Sequence, residues 1–218
     1  MKNFYEMTET ELLSKYKLKA ADSFKSKFDL FIFDHWLENK GSIDSTIINS
    51  LYFDKYMIRE ESINYYTSYY WQICEDEILT NNKTMKETRD ALDDFKKTNK
   101  EKILELKQYY IQNFFKVFTF EEFKNLVYVP KENYKCFYCN ISIEIINNLI
   151  DKGKIFKKQD TRGFTLEIDR IRPNEEYKKD NCVLCCYWCN NAKTDEFSGS
   201  EFKRIGKIIE EVWKSRNN

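Results

Sequence analysis

The residues of this chain best suited to chemistry are crowded between positions 136 and 189. Cys136-Phe-Tyr-Cys139 and Cys186-Tyr-Trp-Cys189 are two C-x2-C pairs with 46 residues between them. A pair at that spacing sets two thiolates along one edge of a tetrahedron. Two pairs complete a four-thiolate zinc site with Zn–S bonds of about 2.3 Å. Cys182 and Cys185 offer an alternative register. However, Cys182 falls on a predicted strand, and Cys185 is expected to point away from its neighbour Cys186. The preferred ligands are therefore Cys136, Cys139, Cys186 and Cys189. Four protein thiolates leave no open position, so the expected role of the Zn2+ is structural: it clamps a segment too small to hold itself together by burial alone. The seventh cysteine, Cys74, sits among aromatic residues and reads as a small buried hydrophobe.

Between the pairs lie polar residues of a second kind. Leu166-Glu-Ile-Asp169-Arg170-Ile171-Arg-Pro173 is followed by Tyr177 and then by Asn181-Cys-Val-Leu-Cys-Cys186-Tyr-Trp-Cys189-Asn190-Asn191-Ala-Lys193. This stretch resembles the motif of the HNH endonucleases, in their zinc-stapled four-cysteine form with a ββα-metal core. The resemblance covers about residues 133–195, less than a third of the chain. It implies that Asp169, at a strand end, and Asn190, just past the second cysteine pair, hold a divalent ion, and that Asn181 fixes the loop between the two strands. The residue after the aspartate is usually a histidine acting as general base. Here it is Arg170, a departure that leaves the base unassigned. The resemblance also implies a nucleic-acid substrate, DNA first, and company such as an ATPase subunit, beside which some members of the family act in bacterial or phage conflict systems.

The residues can be read without the resemblance. Phosphodiester cleavage needs a Lewis acid on the phosphate, an activated water and charge stabilisation at the leaving oxygen. A carboxylate and an amide oxygen suit a hard ion such as Mg2+ or Mn2+. Arginine stays protonated, with a pKa above about 12, so Arg170 is no base but is able to grip a phosphate in bidentate fashion. Glu167, two residues before Asp169, shares its strand face and is a candidate base or further ligand. Arg162, Arg172, Lys178, Lys179 and Lys193 are candidate phosphate contacts. The lone histidine, His35, excludes any site that needs two. Two readings compete with a nuclease: a non-catalytic nucleic-acid-binding module that kept the zinc scaffold, and a zinc-stapled protein-interaction subunit.

These residues need elements to position them. The chain has 218 residues, of which 42% are hydrophobic and 17% aromatic, so a core is available. The 36 basic and 36 acidic residues exclude a globally cationic coat but not a local patch. Five glycines and two prolines argue against a turn-rich sandwich. Residues 1–130 carry 19 basic and 22 acidic side chains, and residues 131–218 carry 17 and 14, which leaves the second segment positive. A break near Pro130 therefore separates a helical N-terminal region, expected to meet a partner or position substrate, from a zinc-bound HNH-like domain with a C-terminal helix. The fold class is α+β and predominantly α-helical.

Helix starts of the S/T-x-x-E type recur at Thr8, Thr84, Thr98 and Thr119. After Thr98, the residues Ile103, Leu106, Tyr110 and Phe114 share a face. Asp44 or Ser45 is expected to cap a helix with Ile47, Ile48, Leu51 and Tyr52 inward, and Gly41-Ser42 and Asn81-Asn82 to make turns. Further on, a helix is expected over 141–150, strands over 164–169 and 182–185, a helix from Trp188 to Thr194, and a last helix from about Ser200 to Arg216. That last helix is expected to bury Phe202, Ile205, Ile208, Ile209, Val212 and Trp213. Tyr65, Tyr66, Tyr69, Tyr70 and Trp71 read as a packed helix face rather than a base-stacking platform. No signal-peptide or membrane-span pattern is present, so the chain reads as cytoplasmic, where clustered cysteines bind metal rather than pair.

Overall fold

The computed structural model describes residues 2–59, 61–63, 76, 78–80, 82–155, 162–173 and 175–218. The aromatic run at 65–71, Cys74 and Asn81 lie outside them. The chain is α+β and mostly helical. It divides into two compact units: Leu18–Lys116, and a discontinuous one made of Met1–Lys17 and Val117–Asn218. This division is not the line drawn at Pro130 from charge.

The first helix, α1 (Glu9–Glu38), starts in the discontinuous unit and continues into the other. The unit 18–116 also holds α2 (Ser50–Lys55), a hairpin of β1 (Ile78–Thr80) and β2 (Lys83–Thr84), α3 (Met85–Thr98) and most of α4 (Lys100–Val117). Its core is aromatic: Phe53 lies 5.5 Å from Phe24 and 5.8 Å from Tyr110, ring centre to ring centre. Leu106, Tyr110 and Phe114 of α4 are buried, as their spacing predicts.

Two expectations fail here. Thr98 caps nothing. It is the last residue of α3, and Asn99 joins the two helices, donating its N–H to the Phe95 carbonyl and accepting from Ile103 N–H. Asp44 caps only a single 3-10 turn, and Asn49 restarts the chain as α2. The restart shifts the helical phase, so Ile47 and Ile48 stay buried while Leu51 and Tyr52 face outward. The Thr84 and Thr119 boxes form, each hydroxyl accepting from the N–H of the glutamate three residues on, and the Thr8 box forms likewise.

The discontinuous unit contains α5 (Phe120–Val127), α6 (Ile143–Asp151), β3 (Leu166–Arg170), β4 (Cys182–Cys186), α7 (Tyr187–Lys193) and α8 (Gly199–Asn217). Strands β3 and β4 pair antiparallel, with Glu167 opposite Cys185 and Asp169 opposite Val183. Side chains alternate along a strand, so Glu167, Asp169 and Cys185 share one face of the hairpin. Leu166, Ile168 and Cys186 take the other.

The last helix is rotated relative to expectation. Its buried ridge runs through Phe202, Gly206 and Trp213, whereas Ile205, Ile208 and Val212 are exposed, Ile208 to 60%. The cause is Gly206. A Cβ there would lie 2.4 Å from the Tyr138 carbonyl oxygen, so the helix seats its bare backbone on the first cysteine pair and turns the isoleucine stripe away. Gly206→Ala is therefore expected to destabilise the protein. The gain in helix propensity, about 1 kcal/mol, is outweighed by a clash with backbone that is unable to move aside as a flexible side chain would; the net loss is about 1–3 kcal/mol. Urea-denaturation midpoints of the two proteins check this.

Candidate metal centre and strand–helix junction

The first cysteine pair is shaped by a tight turn. Cys136 N–H donates to the Ile141 carbonyl, Asn140 N–H donates to the Cys136 carbonyl, and Asn140 takes a left-handed φ of 55°. Phe137 N–H donates to the Leu184 carbonyl at 2.8 Å, tying this turn to β4. The second pair straddles the end of β4 and the first turn of α7, where Cys189 N–H donates to Cys186 Sγ. The result is a fully buried cluster of Cys136, Cys139, Cys186 and Cys189, whose sulfurs all lie within 4.8 Å of one another. Cys139 and Cys186 are 3.7 Å apart, close to the edge of about 3.8 Å that Zn–S bonds of 2.3 Å give a tetrahedron. The set fits zinc. Hydrogen bonds from the other three cysteines push the Cys136 thiol down towards its thiolate. Cys185, on the opposite strand face, is outside the cluster. Burial, reinforced by the charge of Asp169, raises its pKa and keeps it a neutral thiol.

The second group of residues sits where β3 meets α7. Asn190 and Lys193 are three apart on α7 and so share a helix face. Each meets one carboxylate of β3. Asn190 Nδ2 donates to Glu167 Oε2 at 2.6 Å. Lys193 Nζ lies 3.4 Å from Asp169 Oδ2. Arg162 also grips Glu167 through two hydrogen bonds, of 2.9 and 2.6 Å, with its guanidinium 5.0 Å from the Tyr187 ring centre. Asp169 accepts a third kind of contact, from the Tyr138 hydroxyl at 2.6 Å. Burial and the neighbouring Asp169 charge raise the Tyr138 pKa, so the phenol is held as a neutral donor.

The placement differs from the sequence reading in several details. The amide of Asn190 is brought to Glu167, and Asp169 is brought to Tyr138 and Lys193. Lys193, expected at a phosphate, is fully buried and ion-paired instead, because its position on α7 faces the strand. Arg170 lies on the other strand face, donating to the Glu175 carbonyl and to Asp195 and stacking over Tyr177. Arg172 pairs with Glu175 and Asp180, Lys178 with Glu175, and Lys179 with Glu122. Each expected phosphate contact on this loop thus already has a carboxylate partner. His35 stacks edge-on against Phe31, in the unit 18–116. Tyr138 escaped the sequence reading because it occupies a spacer position inside C-x2-C. Asn190 and Lys193 at helical spacing were the available signal for the paired contacts.

Asn181 is fully buried and clasps the 171–181 loop: its Oδ1 accepts from Arg172 N–H at 2.7 Å, and its Nδ2 donates to the Arg172 and Glu176 carbonyls. Asn181→Ala strands those backbone groups and is expected to cost about 2–4 kcal/mol, read as a lower thermal midpoint with faster amide exchange at Arg172.

No protein-family profile matches this chain, and no curated protein matches it. Among solved structures, the rare-cutting HNH restriction endonuclease PacI is similar at 29% sequence identity and a TM-score of 0.39, over 45% of this chain and 66% of that one. The likeness thus spans slightly less than two thirds of that enzyme. Among the described residues, no helix is long and apolar enough to cross a membrane.

Proposed function

We propose that this chain is a metal-dependent nuclease of the HNH type that hydrolyses phosphodiester bonds of nucleic acid, with DNA as the first substrate to test. One observation carries the reading. The zinc-clamped hairpin presents two carboxylates, Glu167 and Asp169, to an amide and an ammonium of α7 at one junction. Carboxylate oxygens, with an amide beside them whose Oδ1 takes the place of Nδ2 on rotation, make a donor set for a hard cation. When bound, Mg2+ or Mn2+ would supply Lewis-acid charge at the scissile phosphate.

The chain's own groups divide the remaining work. Arg162 and Arg172 are partly open to solvent, and each is able to exchange its carboxylate partner for phosphate oxygens through a planar fork. Arg170 does not take a proton; it braces the loop through Glu175 and Asp195. Glu167 is the more open carboxylate, its side chain 19% exposed against 11% for Asp169. A protein partner for the helical N-terminal region, such as an ATPase subunit, belongs to the same proposal.

The test is nicking of supercoiled plasmid, with single-stranded DNA and RNA as parallel substrates, in Mg2+, Mn2+ and EDTA. Cleavage that needs the divalent ion and falls at least about a hundredfold in Asn190→Ala is expected. A second reading, a non-catalytic nucleic-acid-binding module, is favoured by the internal counter-ions that Arg162 and Lys193 supply to both acids. Salt-sensitive DNA binding without cleavage in any divalent ion would establish it in place of the first.

A further inference from the structure

Two carboxylates face α7, and both already have a cation beside them. The two cations differ in one respect that decides where a metal can go. Lys193 is 0% exposed, and its stem is packed inside α7's contact with the hairpin. Its ammonium has no hydrogen-bond partner and stays beside Asp169, because no solvent-facing alternative is open to it. A divalent ion on Asp169 would sit against a fixed positive charge at the less open of the two carboxylates. Arg162 is different. Its side chain is 39% exposed and lies at the surface over Tyr187, so a guanidinium displaced from its two bonds to Glu167 has solvent to move into. Mg2+ and Mn2+ keep several waters and need an open side. The Glu167 end of the junction offers that; the Asp169 end does not. Asn190 already touches Glu167, and rotating its amide turns Oδ1 to the spot where Nδ2 now points.

We infer that Glu167, not Asp169, is the carboxylate of this junction that takes a divalent cation, with Asn190 as the second oxygen ligand and Arg162 as the group the ion displaces. The inference rests on the nuclease reading for its purpose, but its ligands are measured apart from it. Lys193 is then the resident cation of Asp169, and the Asp169–Lys193 pair with Tyr138 holds β3 at the right height against α7. Arg162, once released, is the nearest guanidinium able to meet the phosphate.

The experiment is Mn2+ binding to the zinc-loaded full chain, followed by the loss of the free-ion EPR signal. Glu167→Gln is expected to weaken Mn2+ by at least about tenfold, in the range seen when metal-site groups are removed. Arg162→Ala, which removes the competitor, is expected to tighten it severalfold. Asp169→Asn alone would strand a buried ammonium, so the paired change Asp169→Asn with Lys193→Met is used, and it is expected to shift affinity by less than about threefold. Loss of Mn2+ in that double variant with retention in Glu167→Gln overturns the inference, as does a wild-type chain that binds no Mn2+. Plasmid cleavage with the ion on Asp169 would sink this assignment and leave the nuclease standing. Mn2+ held through Glu167 with no cleavage of any substrate would do the reverse.

Discussion

Cys186→Ser is expected to abolish zinc binding and unfold the unit built from 1–17 and 117–218. Cys186 is at once the last residue of β4, the N-cap of α7 and a member of the sulfur cluster; serine keeps the cap, because its hydroxyl accepts from the Cys189 N–H as the sulfur does, so the expected loss is that of the clamp. Structural zinc is worth about 10–16 kcal/mol in zinc-finger peptides, as much as the whole stability of an ordinary domain, about 5–15 kcal/mol. One zinc per chain is expected by elemental analysis of the wild type, and none in the variant, with loss of the near-ultraviolet circular dichroism of Trp188 and Trp213, whose rings pack 5.1 Å apart. Cys185→Ser, one residue away on the opposite strand face, is expected to keep its zinc. Protons compete with the metal for thiolates, so zinc is held at neutral pH and released as the pH falls.

The second large effect is expected at Lys193. Lys193→Met removes the cation beside a buried carboxylate and leaves Asp169 with the Tyr138 hydroxyl alone. Breaking a buried ion pair from one side costs about 3–5 kcal/mol, whereas neutralising both partners is often harmless. The wild-type pair is also imperfect, since the ammonium is desolvated and makes no hydrogen bond. The double variant with Asp169→Asn is thus expected to recover most of the loss. A denaturation cycle over the four proteins measures the coupling; equal losses in the single and double variants would show that Lys193 acts through packing rather than charge.

The four-cysteine cluster was legible because its geometry is local: two residues between cysteines set each edge of a tetrahedron, and the strand's alternation separated Cys185 from Cys186. The helix caps at Thr8, Thr84 and Thr119 were legible for the same reason. What the sequence hid depended on contacts made at a distance. The isoleucines of the last helix read as its buried ridge, and the seating of Gly206 on the Tyr138 carbonyl turns Ile205 and Ile208 outward. Leu51 and Tyr52 followed the wrong phase because Asn49 restarts the helix. At the junction, the resemblance to the HNH motif implied that Asp169 and Asn190 share an ion. The packed structure instead pairs Asn190 with Glu167 and gives Asp169 to Lys193, through a helix register that spacing alone does not set.

The discontinuity of the unit that carries the cysteine cluster bears on how this protein can be cut. A fragment beginning at residue 131 would shed Phe4, whose N–H donates to the Tyr134 hydroxyl oxygen, together with Glu122, the partner of Lys179, and the ring cluster of Tyr16, Phe118 and Phe123. The cysteine module is therefore no detachable tail. Residues 18–116 interrupt it as an insert would, and trimming by a protease or a gene fusion that keeps only the C-terminal stretch would discard part of the unit that packs around the cysteine cluster.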